Sequence, residues 1–578
     1  MKKDKWRSWP ELLLLIACAI WLLYGISQKE GYHMDELLSF ELANAKFNPW
    51  IVPTQPQGRL AKFVEQEIEG ETFGETLGNL RDTIADVIQN KGNSKLLTYK
   101  ADVYEEPVWI TAEQFRDYIT VGDGDAFDYL SVYFNVKDDN HPPLHFMALH
   151  TVSSVFRGQI TPLMGCGINL ICVMGIMGLL MWMGRMLCFL LGKTERGRFA
   201  GFWAAALYGF SAGAMSTTLL IRMYGMLSFW CAALLAIHLS KLAAPRLRVQ
   251  GQQYSDFGKK NKFLILVTLC GFWTQYFFLF YCLILAAVTV ILLWRADRRQ
   301  EVWCYIRSMV LAAVIGLVCF PFAISDVFSS GRGVEALANL SSGLDGYGMR
   351  LRRFGGILVQ ETGVLTVLLV GAVLIGCIAW HLWKERGIVS RGLAGLLLLP
   401  VAGYFLLAAR MSPYLVDRYI MPLFPLVILL SVAAVSCFAG KRLLWGLAAL
   451  TILLQPLQTW RYDNPYLYRG YEAQVRISEE YGECPCICIG DGVGYYENLP
   501  EFTHYRCTLI LTPQEFEKTP DLIQGMTRVV VLLKDGADRE KVCEIMAQAY
   551  ELTAMEVLMP QGGAHGDEIL YFGTGSRL

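Results

Sequence analysis

Four short segments carry side chains able to do acid–base or anion chemistry. They are His33-Met34-Asp35-Glu36, then Asp138-Asp139-Asn140-His141-Pro142-Pro143-Leu144-His145, then Arg222-Met223-Tyr224, and finally Arg410 with Asp417-Arg418-Tyr419. Paired carboxylates can take a proton from an attacking hydroxyl or bind a divalent metal ion. Arginines in a partly dry site can clamp a phosphate through forked hydrogen bonds. Four of the eight histidines (His33, His141, His145 and His150) fall in or beside these segments. Taken singly, each charge could be a snorkelling side chain at a membrane boundary. Four segments at one level of one membrane face would instead make a site for a phosphorylated lipid whose head group reacts at the outer surface.

Whether they share a level depends on the elements that carry them. Of the 578 residues 54% are hydrophobic and 18% charged, and mean hydropathy is +0.35. A soluble chain of this length would carry far more charge. The apolar residues are bunched into runs near the ~20 residues that cross a bilayer. A net charge of -1 and the lack of a basic tract give nucleic acid no footing. Lys2, Lys3, Lys5 and Arg7 precede the apolar run Leu12 to Ile26 without a clear cleavage site, which reads as an uncleaved anchor with a cytoplasmic N-terminus. Further spans are expected near 160–190, 200–220, 223–241, 263–277, 278–294, 304–325, 356–383, 392–409, 419–438 and 442–459. Basic loops (Lys193/Arg196/Arg198, Lys241 to Lys262, Arg295/Arg298/Arg299, Lys384 to Arg391, Lys441/Arg442) alternate along the chain with a second set of turns at Arg222, Gln275, Ser325 to Arg353 and Arg410 to Tyr419. With the basic set inside, about 11 crossings result, or 13 if the short run Pro142 to Phe156 pairs with a divided 160–190 segment. Either count is odd, so the first loop and the C-terminal domain should both be extracytoplasmic.

The expected fold is therefore an α-helical polytopic membrane protein with a small extracytoplasmic α/β domain. Its parts would be an anchor (1–27), a first outer loop (28–141), a multi-helix membrane domain (142–460) and the α/β domain (461–578). Helical spacing in the loop marks Leu60 to Ile68 and Glu75 to Gln89, and Thr111 with Gln114 reads as a capping box opening a helix over Ala112 to Ile119. Its recurrent aromatics suit helices lying on the membrane surface. In the C-terminal region, strands are expected at Cys486–Gly490, Thr508–Leu511, Arg528–Leu533, Glu551–Leu558 and Ile569–Phe572, with helices over Tyr471–Tyr481 and Asp538–Tyr550. Most of the 16 cysteines sit singly in apolar runs, as small buried hydrophobes do. Cys484, Cys486 and Cys488 alternate; no second CxxC or CxxH follows, which favours a buried strand face over a metal or redox role. Gly490-Asp491-Gly492-Val493-Gly494 lacks the third glycine of a dinucleotide fingerprint and reads as a tight turn.

At the four segments the chain resembles a known family. Asp35-Glu36 just after the first helix, Asn140-His141-Pro142-Pro143-Leu144, Arg222-Met223-Tyr224 and Arg418-Tyr419-Ile420-Met421-Pro422 look like the motifs of the GT-C superfamily. Within it, the resemblance is to bacterial polyprenyl-phosphate-sugar-dependent glycosyltransferases of the protein O-mannosyltransferase type (family 39-like). It covers roughly residues 10–460 and leaves out the C-terminal domain. Thr274-Gln275-Tyr276-Phe277 falls where such proteins often carry Thr-His-Tyr, so Gln275 puts a histidine role there in doubt.

The resemblance implies a sugar joined through C1 to a polyprenyl phosphate, attacked by an acceptor hydroxyl while the lipid phosphate leaves. Developing oxocarbenium charge calls for a carboxylate, and the leaving phosphate calls for positive charge. Asp35 is then expected as base, with Glu36 and Asp139 as supporting carboxylates. Arg222 and Arg418 would hold the phosphate, with Tyr224, Tyr419 and Gln275 against the substrate. His141 would orient Asp139 or, with Asp35 and Asp139, bind a divalent metal ion. The acceptor, a glycopolymer, lipid or protein, is not legible. Two other readings are a lipid-linked glycan transporter or flippase, for which no inverted repeat or mid-membrane charge is evident, and a glycan polymerase or ligase, which would not require Asp35-Glu36 paired with His141-Pro142-Pro143.

Overall fold

The computed structural model describes residues 9–48, 50–56, 62–90, 94–98, 104–249, 261–328, 331–341, 343, 345–363, 388–562 and 565–575. They form two compact units, each built from discontinuous stretches of chain.

The membrane unit comprises residues up to Gln28, Asp138–His145 and Gly165–Pro465. Among the described residues seven helices are long and apolar enough to cross a bilayer: Trp9–Ser27, Pro162–Leu190, Tyr224–Ala243, Phe278–Arg295, Arg299–Cys319, Gly392–Met411 and Lys441–Arg461. Asn261–Thr274 and Leu423–Ser436 are shorter apolar helices. The span expected over 200–220 is two helices, Gly197–Gly209 and Ala212–Leu219. The break is satisfied internally, as a low-dielectric setting demands. Ser211 Oγ accepts from Ala214 N at 3.1 Å, and Thr459 Oγ1 donates to Phe210 O at 2.7 Å. Close crossing of Gly197–Gly209 over Pro162–Leu190 depends on facing glycines: a Cβ on Gly184 would lie 2.5 Å from Gly201 Cα. The only acidic residue of the first helix, Glu11, is met by Arg185 and by Arg198. The expected span 356–383 begins as the end of the helix Tyr347–Thr362, which stops at Gly363, a glycine of positive φ (91°); positions 364–383 of that expectation, Lys384 to Arg386 of one basic loop and positions 250–260 of another lie outside the described residues, as do Lys2, Lys3, Lys5 and Arg7 and the first two residues of the helix expected over Leu60 to Ile68.

Pro142 to Phe156 forms the helix Leu144–Val155. Twelve residues rise only ~18 Å, short of a ~30 Å hydrocarbon core, so this helix cannot cross alone.

The soluble unit comprises Lys29–Lys137, Phe146–Met164 and Tyr466–Leu578, so the first loop and the C-terminal region, expected as separate domains, share one body. One sheet joins them. Its strands are β1 (Ile110–Thr111), β2 (Cys486–Ile489), β3 (Cys507–Leu511), β4 (Arg528–Leu533), β5 (Ala554–Met559) and β6 (Glu568–Gly573), in the spatial order β1-β3-β2-β4-β6-β5. Strands β3, β2 and β4 run parallel; β1, β6 and β5 pair antiparallel. β1 comes from the loop, pairing Ile110 with Thr508. Ile487, Ile489, Leu509, Leu511, Val529, Val531 and Leu533 bury one face of the sheet with Val542, Met546 and Phe572. Cys486 and Cys488 point to the opposite face and are also fully buried, as central parallel strands require. The loop helix Ala112–Ile119 opens on the expected capping box, and Tyr495 and Tyr496 both donate to the loop carbonyl of Ile51, at 2.8 and 3.0 Å.

Candidate active site

In the membrane unit the sequence signals converge on one polar site. Asp139 and His141 follow the 3-10 turn Val136–Asp138, where Pro142 and Pro143 stop the chain from continuing as helix until Leu144. His141 Nδ1 lies 3.0 Å from Asp139 Oδ2, and Arg222 Nη2 lies 3.5 Å from the same ring nitrogen. Arg222 is held in the tight connection between Ala212–Leu219 and the helix beginning at Tyr224: its N–H donates to Leu220 O, whose carbonyl also accepts from Asn169 Nδ2. Burial alone would raise the Asp139 carboxyl; the His141 ring, the Arg222 guanidinium and the Asn140 amide outweigh it and hold the group below the usual carboxylate range. The site thus keeps an anion and a guanidinium together, both shielded from water.

His145, fully buried one turn further on, is driven the other way: burial, with the Arg222 and His141 charges, lowers its pKa to about 3. Its unfolded value is near ~6.5. The unfolded chain therefore binds more protons between those limits, and stability falls as pH drops through that window. Acidifying the solubilised protein from pH 7 to 4 should lower its melting temperature, and His145→Gln should flatten that dependence. An unchanged slope in His145→Gln would assign the acid sensitivity elsewhere.

The Arg222 turn meets the late Arg-Tyr turn through aromatic contacts. The Tyr224 and Tyr419 rings pack edge-to-face at 6.1 Å, and Phe277 lies 5.4 Å from Tyr419. Tyr419 sits in the 3-10 turn Asp417–Ile420; Tyr404 donates to its carbonyl at 3.0 Å, and the Arg418 guanidinium lies 5.6 Å from its ring centre. Gln275 is buried beside this turn's partner Phe277, and Tyr276 donates to the buried Asp326 at 2.5 Å. Asp139, His141, Arg222, Tyr224, Gln275, Arg418 and Tyr419 thus belong to one unit, and ring contacts join three of the four turns that carry them. Arg410, from the same late segment, is spent elsewhere, donating to the carbonyls of Gly343 and Leu340 at 2.9 and 3.3 Å.

Sequence reasoning missed Glu361. Its carboxylate is buried and accepts from Ser216 Oγ at 2.9 Å and Tyr462 OH at 3.0 Å, while Asn464 Nδ2 donates to Ser216 Oγ at 2.9 Å. Beside it, Gln360, Gln455, Gln458, Arg461 and Tyr462 line a cavity of about 210 Å³. One signal was present: Glu361 is a solitary carboxylate within an apolar run, and such residues are costly and placed for a reason.

Asp35 and Glu36 belong to the soluble unit, at the start of the helix Met34–Asn44. His33 is its N-cap: Nδ1 accepts from Asp35 N at 3.0 Å, while Glu36 closes a capping box by accepting from His33 N at 2.8 Å. The Asp35 carboxylate lies 3.5 Å from His33 Nδ1. That nitrogen already receives an N–H, so it carries no proton to give Asp35. Glu36 is differently employed. Its oxygens lie 2.9 and 3.2 Å from Lys29 Nζ, both side chains are shut off from solvent, and Lys29 also donates to Tyr466 O at 2.7 Å. Breaking a buried pair by removing one partner costs ~3–5 kcal/mol. Lys29→Met should therefore lower the melting temperature sharply, and the double variant Lys29→Met/Glu36→Leu should recover most of the loss. Equal losses in the two proteins would mean the pair is not the cause.

Among the described residues no three His, Cys, Asp or Glu side chains converge as a metal-binding group. Of the three named as candidate ligands, Asp139 and His141 are adjacent and Asp35 is in the soluble unit.

This arrangement defines a polytopic membrane protein whose membrane unit holds a buried acid–imidazole–guanidinium site. No protein-family model matches the sequence, and no curated protein sequence does. Among solved structures the chain is similar to ArnT from Cupriavidus metallidurans bound to undecaprenyl phosphate, with a TM-score of 0.46 and 10% identity over 75% of this chain and 88% of that one. The apo state of the same protein gives a TM-score of 0.45 and 13% identity over 80% and 91%.

Proposed function

We propose that this chain is a membrane glycosyltransferase that moves a sugar from a polyprenyl-phosphate donor to an acceptor hydroxyl on the outer face of a bacterial cell membrane. The observation that carries the reading is the pairing of Arg222 with Asp139 and His141 beside the Tyr224–Tyr419 contact that brings in Arg418. Two guanidiniums in a shielded setting suit a lipid phosphate, which leaves with a growing charge and needs donors more than a proton. The GT-C resemblance of the same residues supplies the class of donor.

In this reading the acceptor oxygen forms a bond to C1 of the sugar as the C1–O bond to phosphate breaks. The electron pair of the broken bond leaves with the lipid phosphate, and the acceptor proton passes to Asp35. Arg222 and Arg418 hold the phosphate. His141 and Asp139 fix each other, the Arg222 guanidinium lies against the pair, and the pair could hold a divalent cation. Tyr224, Tyr419 and Gln275 wall the donor. Glu36 positions Asp35 through the capping box and Lys29. The N-terminus is cytoplasmic, and the soluble unit is outside. Purified protein given a polyprenyl-phosphate sugar labelled in the sugar should transfer label to an acceptor or to water and release polyprenyl phosphate. Intact donor after prolonged incubation, whatever acceptor is supplied, would refute a transferase.

A further inference from the structure

Within the soluble unit the proposed base stands next to C-terminal residues that no function has claimed. The His33 ring lies 6.3 Å from the Tyr468 ring, and Tyr468 lies 5.5 Å from the ring of His565. Tyr468 is fixed from several sides. Its backbone is in the left-handed region (φ 49°), where a non-glycine residue pays a steric cost of order 1 kcal/mol or more. The Lys29 ammonium sits 5.0 Å from its ring centre. The flanking chain is tied to the first loop by Glu30 N donating to Leu467 O at 2.8 Å and by Gly470 N donating to Glu30 Oε2.

Behind these rings lies the carboxyl end of the parallel strands. β2 sits between β3 and β4, so the connections leaving β2 and its neighbours diverge there, which is where open α/β sheets receive ligands. Lys534, just past β4, reaches Asp567 at 2.7 Å, Asn498 Oδ1 at 2.9 Å and Glu497 at 3.4 Å; His565 Nδ1 lies 3.5 Å from Glu497. A Cβ on Gly490 would strike Lys534 at 2.5 Å, so that glycine admits the lysine stem to the strand ends. The glycine-rich string after β2 is thus the floor under a charge cluster.

We propose that His33 and Tyr468, backed by the buried His565 ring, form the acceptor subsite beside Asp35, that the C-terminal domain thereby selects the acceptor, and that it takes an uncharged sugar unit. This rests on the glycosyltransferase reading. Aromatic faces accept the C–H face of a sugar ring while nearby polar atoms take its hydroxyls. Charge decides the class. Around the rings stand Lys29, Lys534 and Arg469, the neighbour of Tyr468, against Glu30, Asp35, Glu36, Glu497 and Asp567, three cations against five carboxylates. From Arg461 onward the chain has 10 Lys/Arg and 19 Asp/Glu. An anionic acceptor would be repelled from both the rim and the domain.

Calorimetric titration of the detergent-solubilised full chain tests this without any transfer step. Neutral hexasaccharides (maltohexaose and chitohexaose) and a glycerol-phosphate hexamer serve as probes. One of the neutral probes should bind, the phosphorylated one should not, Tyr468→Ala and His565→Ala should each weaken binding about tenfold or more, and Tyr468→Phe should restore it. In the labelled-donor reaction Tyr468→Ala should raise the KM for that sugar more than it lowers kcat. Absence of neutral-sugar binding, preference for the phosphorylated probe, or Tyr468→Ala binding as the parent does at unchanged melting temperature would each overturn the proposal. Neutral-sugar binding without donor consumption would refute the glycosyltransferase reading and leave the subsite standing.

Discussion

Asp35→Asn should abolish sugar transfer, with the rate falling by about 10²–10⁴, the range attributed to a positioned general base. Membrane insertion and melting temperature should stay near those of the parent. The reason lies in which atoms Asp35 supplies to the fold. Its backbone N–H donates to the capping His33 Nδ1, and its carbonyl accepts from Ser39 Oγ at 2.8 Å; both survive the substitution. Its neighbour offers the contrast. Glu36→Gln should cost stability as well as rate, because it leaves the Lys29 ammonium buried without its charge partner. Measured together, rate and melting temperature separate the two carboxylates. An Asp35→Asn protein transferring sugar at a parental rate would remove Asp35 from the chemistry.

Arg222→Ala should lower transfer by about 10²–10³, the cost of removing one donor aimed at developing negative charge. A second effect goes with it. Arg222 is one of the charges that hold the Asp139 carboxyl down, so its loss lets that carboxyl rise. As pH falls toward the ordinary carboxylate range, the variant should therefore lose activity before the parent does. Arg222→Lys should rescue little, since an ammonium has neither the fork nor the reach to meet a phosphate and the His141 ring together. Kinetics of the two variants across pH 5 to 8 check this; full rescue by lysine would make Arg222 a point charge rather than a clamp.

Local signals proved readable wherever the chain decides its own shape. The capping box at Thr111 and Gln114, the strand Arg528–Leu533 and the helix from Arg539 follow from neighbours in sequence. What long-range pairing decides was not readable. Ile110 could not announce that it would lie beside Thr508, and so the loop and the C-terminal domain seemed separate bodies. The site divides in the same way. Asp139 and His141 are two residues apart and were legible as a pair, whereas Arg222 joins them across 81 positions and could be placed only by motif. Glu36 was visible as a carboxylate; its capture by Lys29 was not, because that depends on both side chains being shut from water. Glu361 was hidden for the opposite reason, as a single acid submerged in apolar sequence whose partners Ser216 and Tyr462 lie far along the chain.

The most direct test is a single-turnover reaction in proteoliposomes, with a polyprenyl-phosphate sugar labelled separately in sugar and lipid. Sugar label should leave the lipid, polyprenyl phosphate should appear in equal amount, and Asp35→Asn should do neither. If both labels instead moved together to the opposite leaflet with the C1–O bond intact, the protein would be a carrier of lipid-linked sugar and not a transferase.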